Sequence, residues 1–464
     1  MAVHEIDLVT ETTAKQIATA CAQIAVNTGG YKLTNYADAQ AIVRMGYAPR
    51  YFHIGDQIVV EKETSMNATV GNSEGETPGI TAASVDPDAF IAAVHTVHGG
   101  DYEFTFNGAE WHFNGAAVNL TDYGITVTGT AIHGDEVIVH ETAAKLFFDV
   151  IGIDDDMPSD PQYTHSLTLQ LHEVYADMQY CARQAAFAFP NGLAAGAYKF
   201  AVGAHPWVAG DVNKVLTFTI ANAIPAGGQL VFNGAHDKTI VGTTISVFAS
   251  ATDTTAAETV TMTEGDTGTD LGTMLRSKTD TVNSIDRALR GSNNWLESAM
   301  RQYLNSDKAA GSVWSPQTVF DRPPAWASTT AGFLHGIDPD FVAVLGNVKK
   351  TTGLNNISDG GGTAVHDEKL FLLSRSEVYM GDEYTGGEDT PYAYYKNYSD
   401  NQSPSTGEDK NRIKYRAGIA RSWWLRSPRA GSANSVRLVI SSGAWSNDRH
   451  AVSADGVAPA CCIV

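Results

Sequence analysis

The chain has 464 residues, of which 43% are hydrophobic and 18% charged, so it can build two or more folded domains. Its formal net charge of -21 disfavours binding to nucleic acid or to anionic membranes, because both present negatively charged groups. No stretch reaches the roughly 18 continuous apolar residues of a membrane span, and the N-terminus lacks the pattern of a signal peptide. We therefore predict no nucleic-acid partner and no membrane insertion.

Residues 1–49 are predicted to form an N-terminal helical segment for attachment and oligomerisation. The stretch from Thr10 to Asn27 carries one short apolar stripe at helical spacing, and such a helix needs a partner to be stable. That partner is either its own domain or another subunit. A second helix is predicted from Asn35 to Met45, with Thr34 or Asn35 as its cap.

Residues 65–142 are predicted to form a small inserted β module. Short alternating runs such as Tyr102 to Phe106 are separated by Asn107-Gly108 and Asn114-Gly115, which are typical hairpin turns. A strand pattern precedes the module and resumes at Leu146, which suggests that the module interrupts an older domain.

The middle of the chain alternates between predicted helices and strands. His165 to Ala188 is predicted to be helical, and residues 191–275 are predicted to form a second inserted, immunoglobulin-like β module. Asn294 to Asn305 is predicted to be a helix with a capping pair at its start. The continuous apolar runs from Phe341 to Leu345 and from Leu370 to Ser374 are typical of central strands.

The cysteines and acidic residues do not form a recognisable metal site. Cys21, Cys181, Cys461 and Cys462 are too sparse for a disulfide framework and have no C-x-x-C spacing, so we interpret them as isolated buried thiols. The run Asp154-Asp155-Asp156 lacks the spacing of a calcium loop and is interpreted as a solvated turn. No cofactor and no metal are predicted, and Ca²⁺ is left open.

The last forty residues are the most informative part of the chain. They begin with Trp423-Trp424-Leu425-Arg426-Ser427-Pro428, in which both tryptophans are predicted to anchor a core. The residues after this block have no clean strand or helix period. Trp445 is surrounded by polar residues, a pattern that favours a surface contact.

Several motifs together resemble a known domain family. They are Ile54–Asp56, the helix around Trp295 to Asn305, Asp367–Val378, Trp423–Pro428, Ser442-Gly443 and Asp455–Ala460. This set resembles the C-type-lectin-like domain of gut bacteria and their phages. The resemblance implies an α+β fold, with that domain built from residues 50–64, 143–188 and 280–464 and interrupted by the two β modules.

A narrower resemblance concerns one group of these proteins. Pro391–Asp400, Lys410–Tyr415 and Gly456–Cys461 are similar to variable proteins of diversity-generating retroelements in phages. In such systems mutated adenines are written into the end of the target gene, and an AAC codon can then encode no Lys, Glu, Gln, Met or Trp. None of the first four residue types occurs from Arg429 to Val464, whereas Trp445 departs from the rule.

The resemblance implies two groups of residues in the C-terminal region. The ligand-binding, variable positions would be Arg429, Ser432, Asn434, Ser435, Leu438, Ile440, Trp445, Ser446, Asn447, Asp448, Arg449, His450, Val452, Ala454 and Cys462. The scaffold positions would be Trp423, Trp424, Leu425, Arg426, Pro428, Gly443, Gly456, Val457 and Pro459.

The function implied is that of a phage receptor-binding protein at the tip of a tail fibre. It would be made in the bacterial cytoplasm, assemble with other tail proteins on the virion surface, form a homotrimer, and bind a bacterial surface protein or glycan. No catalytic residue is predicted. Two alternatives stay open. One is an enzyme similar to formylglycine-generating oxidases, which use paired active-site cysteines, although the adjacent, terminal Cys461-Cys462 does not match their arrangement. The other is a bacterial surface adhesin that is not part of a virion.

Overall fold

A computed structural model describes residues 35–94, 100–204, 209–234, 239–396, 410–444 and 448–464. The predicted helix from Thr10 to Asn27 lies outside these residues, as do Trp445, Ser446 and Asn447. The helices are α1 Tyr36–Arg44, α2 Ala48–Tyr51, α3 Pro87–Val94, α4 Ile285–Arg290, α5 Ala299–Leu304, α6 Pro339–Val344 and α7 Ala393–Lys396.

Twenty-eight strands are seen in the described residues, and most are short. The first half of the chain contains β1 Gln57–Asn72, β2 Ile80–Val85, β3 Gly100–Phe106, β4 Trp111–Phe113, β5 Ala116–Val118, β6 Ile125–Gly129, β7 Asp135–Ile153, β8 Leu167–Leu171, β9 Asp177–Gln179, β10 Phe187–Phe189, β11 Gly196–Val202, β12 Val215–Ile220 and β13 Gly228–Phe232. The second half contains β14 Thr244–Phe248, β15 Glu258–Thr261, β16 Thr263–Glu264, β17 Thr269–Met274, β18 Leu345–Gly346, β19 Val348–Gly353, β20 Thr363–Glu368, β21 Leu370–Phe371, β22 Lys414–Arg416, β23 Ile419–Arg421, β24 Trp423–Pro428, β25 Ser435–Val439, β26 Arg449–His450, β27 Ala454–Gly456 and β28 Ala460–Ile463.

The main core surrounds part of a nine-stranded sheet, in which β28 is an interior strand. β28 pairs with β8 on one side and with β18 and β21 on the other, and β8 continues into β7. All residues of β28 and β8 are buried. Helix α1 packs beside this sheet, and Gln40 donates a hydrogen bond of 2.8 Å to the carbonyl oxygen of Val464. The two ends of the described chain therefore meet in one core.

A long antiparallel ribbon connects this core to a second, smaller one. Strands β1 and β7 pair from Gln57↔Asp149 to Asn72↔Asp135, with one bulge between Glu63 and Ser65. Beyond the bulge, a separate hydrophobic cluster contains Ile80, Phe90, Phe104, Leu120, Ile125, Val137 and Val139. Residues 66–139 thus build a core of their own on the outer half of the ribbon.

The third core lies between two four-stranded sheets. One sheet has the order β10-β13-β14-β15 and the other β16-β12-β11-β17. Alternating residues of these strands, such as Tyr198, Phe200 and Val202 of β11, point into the space between the sheets. Helix α4 adds Ile285, Ala288 and Leu289 to the same cluster.

A five-stranded sheet of order β26-β25-β24-β27-β9 forms the C-terminal part of the molecule. Every residue of β24 is buried, because β25 and β27 flank it and its tryptophans enter the main core. This sheet holds the residues that the sequence singled out.

The predicted α+β fold of C-type-lectin-like type is wrong. The chain is β-rich, with 37% strand and 13% helix, and it is divided among many small sheets with few helices. The largest local error is the helix expected from His165 to Ala188, where the structure has β8, β9 and β10. Leu167, Leu169 and Leu171 alternate with Thr168 and Gln170, which is a strand pattern, and all five residues of β8 are buried.

Other elements differ in type or length. Phe341 and Val344 lie in helix α6, whose start is capped by Asp338, although their continuous apolar run was expected to be a strand. The helix expected from Asn294 to Asn305 divides into a 3₁₀ turn at Trp295–Glu297 and α5. By contrast, the helix capped by Asn35 and the turn at Asn114-Gly115, where both residues have positive φ, are confirmed.

Candidate functional site

Strand β24 provides a rigid base for the C-terminal surface. The indole nitrogen of Trp423 donates to the carbonyl oxygen of Arg412 at 2.9 Å, and that of Trp424 donates to the carbonyl oxygen of Met178 at 2.9 Å. Both rings are fully buried, which confirms their predicted role in the core. A buried tryptophan with a satisfied N–H fixes both the position and the rotation of its strand.

Arg426 of β24 is the centre of a buried ion cluster. Its guanidinium contacts Glu377 and lies 2.6 Å from Asp389, while its side chain is 0% exposed. Although burial opposes ionisation, the charges of Arg426 and Lys350 lower the pKa of Glu377 to about 2. At the neighbouring Glu388, burial outweighs the positive charge of Arg426 and raises the pKa to about 7.

Lys350 extends the cluster toward the first half of the chain. Its ammonium lies 2.5 Å from Asp156 and also contacts Glu377. The predicted solvated turn at Asp154–Asp156 is therefore wrong for Asp156, which is only 7% exposed. The carboxylate is buried because a lysine 194 residues away in sequence neutralises it.

A chain of alternating charges begins at the exposed Arg429 after β24 and continues into largely buried side chains. Arg429 pairs with Asp448 at 3.2 Å, and Arg437 is 3.9 Å from the same carboxylate. Glu383 accepts two hydrogen bonds of 2.7 Å from Arg437 and also pairs with Arg375 at 3.3 Å. Although burial opposes it, these bonds from Arg437 lower the pKa of Glu383. These ion pairs and hydrogen bonds therefore fix the positions of the side chains, which do not pack in the apolar core.

A cavity of about 560 Å³ opens beside this charge chain. Its walls include Ser376, Tyr379, Asp382 and Asp389. Tyr379 and Asp389 have φ values of 61° and 71°, which is uncommon for residues other than glycine. Such strained residues cluster at functional sites more often than elsewhere, so the loop from 376 to 391 belongs to the candidate surface.

Comparison with known proteins gives a match to a protein family that covers the C-terminal part of the chain. Residues 272–464 match a family described as Domain of unknown function (DUF6273). No curated protein and no solved structure matches the chain. The matched region begins in β17 and contains β24, Arg426, Lys350, the charge chain and the cavity. The DUF6273 match carries no activity with it.

The residues predicted to bind ligand divide into four groups in this region. Those with exposed side chains are Arg429, Arg449 and Ala454. Those partly exposed are Ile440, Asp448, His450 and Val452. Those buried, and so out of reach of a ligand, are Ser432, Asn434, Ser435, Leu438 and Cys462. Trp445, Ser446 and Asn447 lie outside the described residues.

The buried members of the set have structural contacts. Asn293 donates to the carbonyl oxygens of Ser432 and Ser435 at 2.7 and 2.9 Å, and Leu438 packs in the main core. The scaffold positions are all buried: Trp423, Trp424, Leu425, Arg426, Pro428, Gly443, Gly456, Val457 and Pro459. The structure therefore places part of the predicted variable set in the same environment as the scaffold.

The cysteines lie in a setting that does not favour thiolate chemistry. Cys461 and Cys462 are neighbours in β28, and burial raises the pKa of both thiols. Cys181 is buried as well, so these three residues confirm the prediction of isolated buried thiols, while Cys21 lies outside the described residues. The oxidase alternative finds no support in this arrangement.

Two features are absent from the described residues. Within those ranges no group of three or more His, Cys, Asp or Glu side chains is placed to hold a metal ion. In the same part of the chain, no helix is long and apolar enough to cross a membrane.

Sequence reasoning missed Lys350, Glu383 and Asp389. Glu377 lay inside the motif Asp367–Val378, but nothing local indicated its buried partners. Lys350 is part of an ordinary Lys-Lys pair, and Asp389 follows another acidic residue. The roles of these residues could have been predicted only by knowing which distant residues meet in the fold.

Proposed function

We propose that the protein binds a ligand through the exposed end of its C-terminal sheet. This surface, the C-terminal rim, consists of Arg429, Asp448, Arg449 and Ala454. The observation that supports it is the contrast between β24, which is fully buried, and Arg429, the next residue, whose side chain is 49% exposed. A rigid strand thus ends beside arginine side chains that a partner can reach.

The energetics of the rim suit a variable binding surface. In its ion pairs, Arg429–Asp448 and Arg449–Asp455, the arginines are 49% and 53% exposed, so solvent screens their charges. Substitution of either arginine therefore disturbs the fold little. Replacement of the buried Asn434 or Leu438 would disturb the core, so we restrict the proposed variable set to members that reach the surface.

In this proposal the protein is a phage receptor-binding protein whose rim is diversified by a retroelement. It would be displayed on the virion as a homotrimer and bind a bacterial surface protein or glycan. Modest affinity at each rim would be raised by several copies on one particle. The absence of Lys, Glu, Gln and Met after Arg429 supports the codon argument.

The DNA around the gene tests whether a retroelement diversifies its 3′ end. We expect a reverse-transcriptase gene nearby and a near-copy of the 3′ end that differs only at adenines. The differences should map to codons of rim residues and of Trp445 to Asn447, and not to those of Leu438 or Cys462. A 3′ end without such a copy would contradict diversification.

Binding to a panel of intact bacterial strains tests the rim itself. The triple variant Arg429→Ala, Asp448→Ala, Arg449→Ala should lose at least about tenfold in affinity for any strain that the parent protein binds, as expected when contact residues are removed. The matched control is Lys199→Ala with Asp266→Ala, which removes an ion pair of 2.6 Å on the distant sandwich. Equal binding by the triple variant and the parent would rule out the rim.

A further inference from the structure

The buried cluster contains a lysine and an aspartate in contact, sealed from solvent. Lys350 lies in β19, and its Nζ is 2.5 Å from Oδ1 of Asp156, which follows the end of β7. The side chains of Lys350, Asp156 and Glu377 are 0%, 5% and 0% exposed. The ring of Phe371 covers the ammonium at 4.4 Å.

The cluster holds more acids than bases. Asp156, Glu377, Glu388 and Asp389 surround only two cations, Lys350 and Arg426. Burying two opposite charges carries a large desolvation cost. That cost is absent when both partners of the pair are neutral. The same carboxylates raise the pKa of Lys350, so a neutral amine arises only when its proton moves to a partner inside the cluster.

Of the two carboxylates in contact with Lys350, Asp156 has no second cation beside it among the described residues. Glu377 also contacts the guanidinium of Arg426 and accepts a hydrogen bond of 2.6 Å from the backbone N–H of Ser374, so it is held as a carboxylate. Among the described residues, Lys350 is the one cation that pairs with Asp156. Direct transfer from Nζ to Oδ1 would leave an amine beside a carboxylic acid.

The other oxygen of Asp156 lies where a developing negative charge would be stabilised. Oδ2 accepts hydrogen bonds from the hydroxyl groups of Thr168 at 2.5 Å and Tyr392 at 2.8 Å. Two fixed donors on one carboxyl oxygen form the arrangement that stabilises tetrahedral intermediates of acyl transfer. Glu377 contacts the attacking nitrogen and is placed to move its proton.

We propose that Lys350 and Asp156 join in an intramolecular amide bond, with Glu377 as the catalytic residue. The neutral Nζ attacks Cγ of the protonated Asp156, and the negative charge develops on Oδ2. Glu377 takes a proton from the nitrogen and delivers it to Oδ1, which leaves as water. One N–C bond forms, one C–O bond breaks, Glu377 returns to its carboxylate, and no oxidant or reductant is needed.

The bond would link two distant parts of the chain. It would close a covalent loop between residues 156 and 350, which contains the whole sandwich, and it would tie the end of β7 to the region that follows α6. A cross-link of this kind stabilises a fold by restricting the unfolded chain. The inference does not depend on the proposed function.

Mass spectrometry of the full-length protein under denaturing conditions tests the bond. We expect an intact mass lower than the sequence mass by one water molecule. Trypsin should fail to cleave after Lys350 and should release residues 146–183 joined to residues 350–369. Lys349→Arg, a change at the exposed neighbouring lysine, should keep the water loss, whereas Asp156→Ala should abolish it.

The parent protein alone can overturn the proposal, whether or not the variants fold. A full sequence mass together with cleavage after Lys350 would show that the cluster is an ion pair only. In Glu377→Gln, circular dichroism reports whether the fold is kept. A folded variant with undiminished water loss would remove Glu377 from the reaction while leaving the bond itself established.

Discussion

At the scale of single residues, the buried acids of the C-terminal region make stability depend on pH. Burial raises the pKa of Glu388 to about 7 and that of Asp455 to about 6. A carboxyl group with a raised pKa binds its proton more tightly in the folded chain than in the unfolded one. Its contribution is fully present below the unfolded pKa and is lost as the pH rises through the folded value.

We predict that Glu388→Gln reduces the loss of stability between pH 5 and pH 7.5. From the raised pKa, Glu388 should account for about 2 kcal/mol of the fall in the free energy of unfolding over this range. Glutamine keeps the group neutral at both pH values, so that part of the slope should disappear. Urea unfolding of the two proteins at pH 5 and pH 7.5 provides the comparison.

Asp455 also titrates within this window, whereas Glu377 and Lys414 titrate outside it. The pKa of Glu377 is lowered to about 2, so its contribution is lost only as the pH falls below the usual range of a glutamate. Burial lowers the pKa of Lys414 to about 8, so its destabilising effect is constant below that pH and is relieved only as the pH rises above it. If the free energy of unfolding changed equally between pH 5 and pH 7.5 in the parent and in Glu388→Gln, Glu388 would have its ordinary pKa in the folded chain.

At the scale of elements, the position of β24 depends on close contact with β27. Gly456 of β27 lies opposite Trp423, and its N–H donates to the carbonyl oxygen of Ser422 at 3.0 Å. A Cβ atom at this position would lie 2.5 Å from that oxygen and 2.7 Å from Val174. The parallel pairing of the two strands therefore requires glycine.

We predict that Gly456→Ala lowers the free energy of unfolding by about 1–3 kcal/mol, the usual cost of forcing an extra group into a packed site. The control is Gly431→Ala, because a Cβ there meets no atom within 4 Å. Urea unfolding of both variants measures the difference. If Gly456→Ala and Gly431→Ala had the same free energy of unfolding, β27 would accommodate the added methyl group by shifting at no energetic cost.

At the scale of the whole molecule, the two β modules are attached in different ways. The cluster on the outer ribbon draws all its buried residues from 66–139, and the main core contains none of them. The sandwich core, by contrast, includes Ile285, Ala288 and Leu289 from helix α4, beyond the predicted module 191–275. One module is separable from the rest, and the other shares its core with a helix of the matched region.

We predict that residues 66–141 can be replaced by Asn-Gly without unfolding the rest of the chain. Ser65 and Thr142 are paired in the ribbon, so a two-residue turn can join them. Circular dichroism and urea unfolding should show a cooperative, folded product. Removal of residues 191–275 serves as the comparison and should fail, because it exposes the apolar face of α4; equal outcomes for both deletions would contradict this distinction.

Local patterns in the sequence predicted several parts of the structure correctly. Asn35 caps a helix because its side chain satisfies a free N–H group, and Asn114-Gly115 forms a turn because both residues tolerate positive φ. The burial of Trp423 and Trp424 followed from their size and apolar character. Each of these outcomes depends on a residue and its immediate neighbours.

The failures concern properties that distant residues decide. The stretch from His165 to Ala188 became strands because β28 and β13 pair with its ends, and no local pattern announces those partners. In the candidate site, the resemblance to retroelement variable proteins placed Leu438 and Asn434 among the variable positions. Their burial follows from packing against the main core and helix α4.

The sequence by itself therefore determined the base of the candidate surface, the capped helix and the tight turns, since short-range chemistry dictates them. Only the tertiary structure decided which members of the C-terminal run reach solvent. It also decided that Asp156 is a buried partner of Lys350 and not a solvated turn residue. The physical reason is that burial and charge pairing depend on contacts between residues far apart in the chain, 194 positions in the case of this pair.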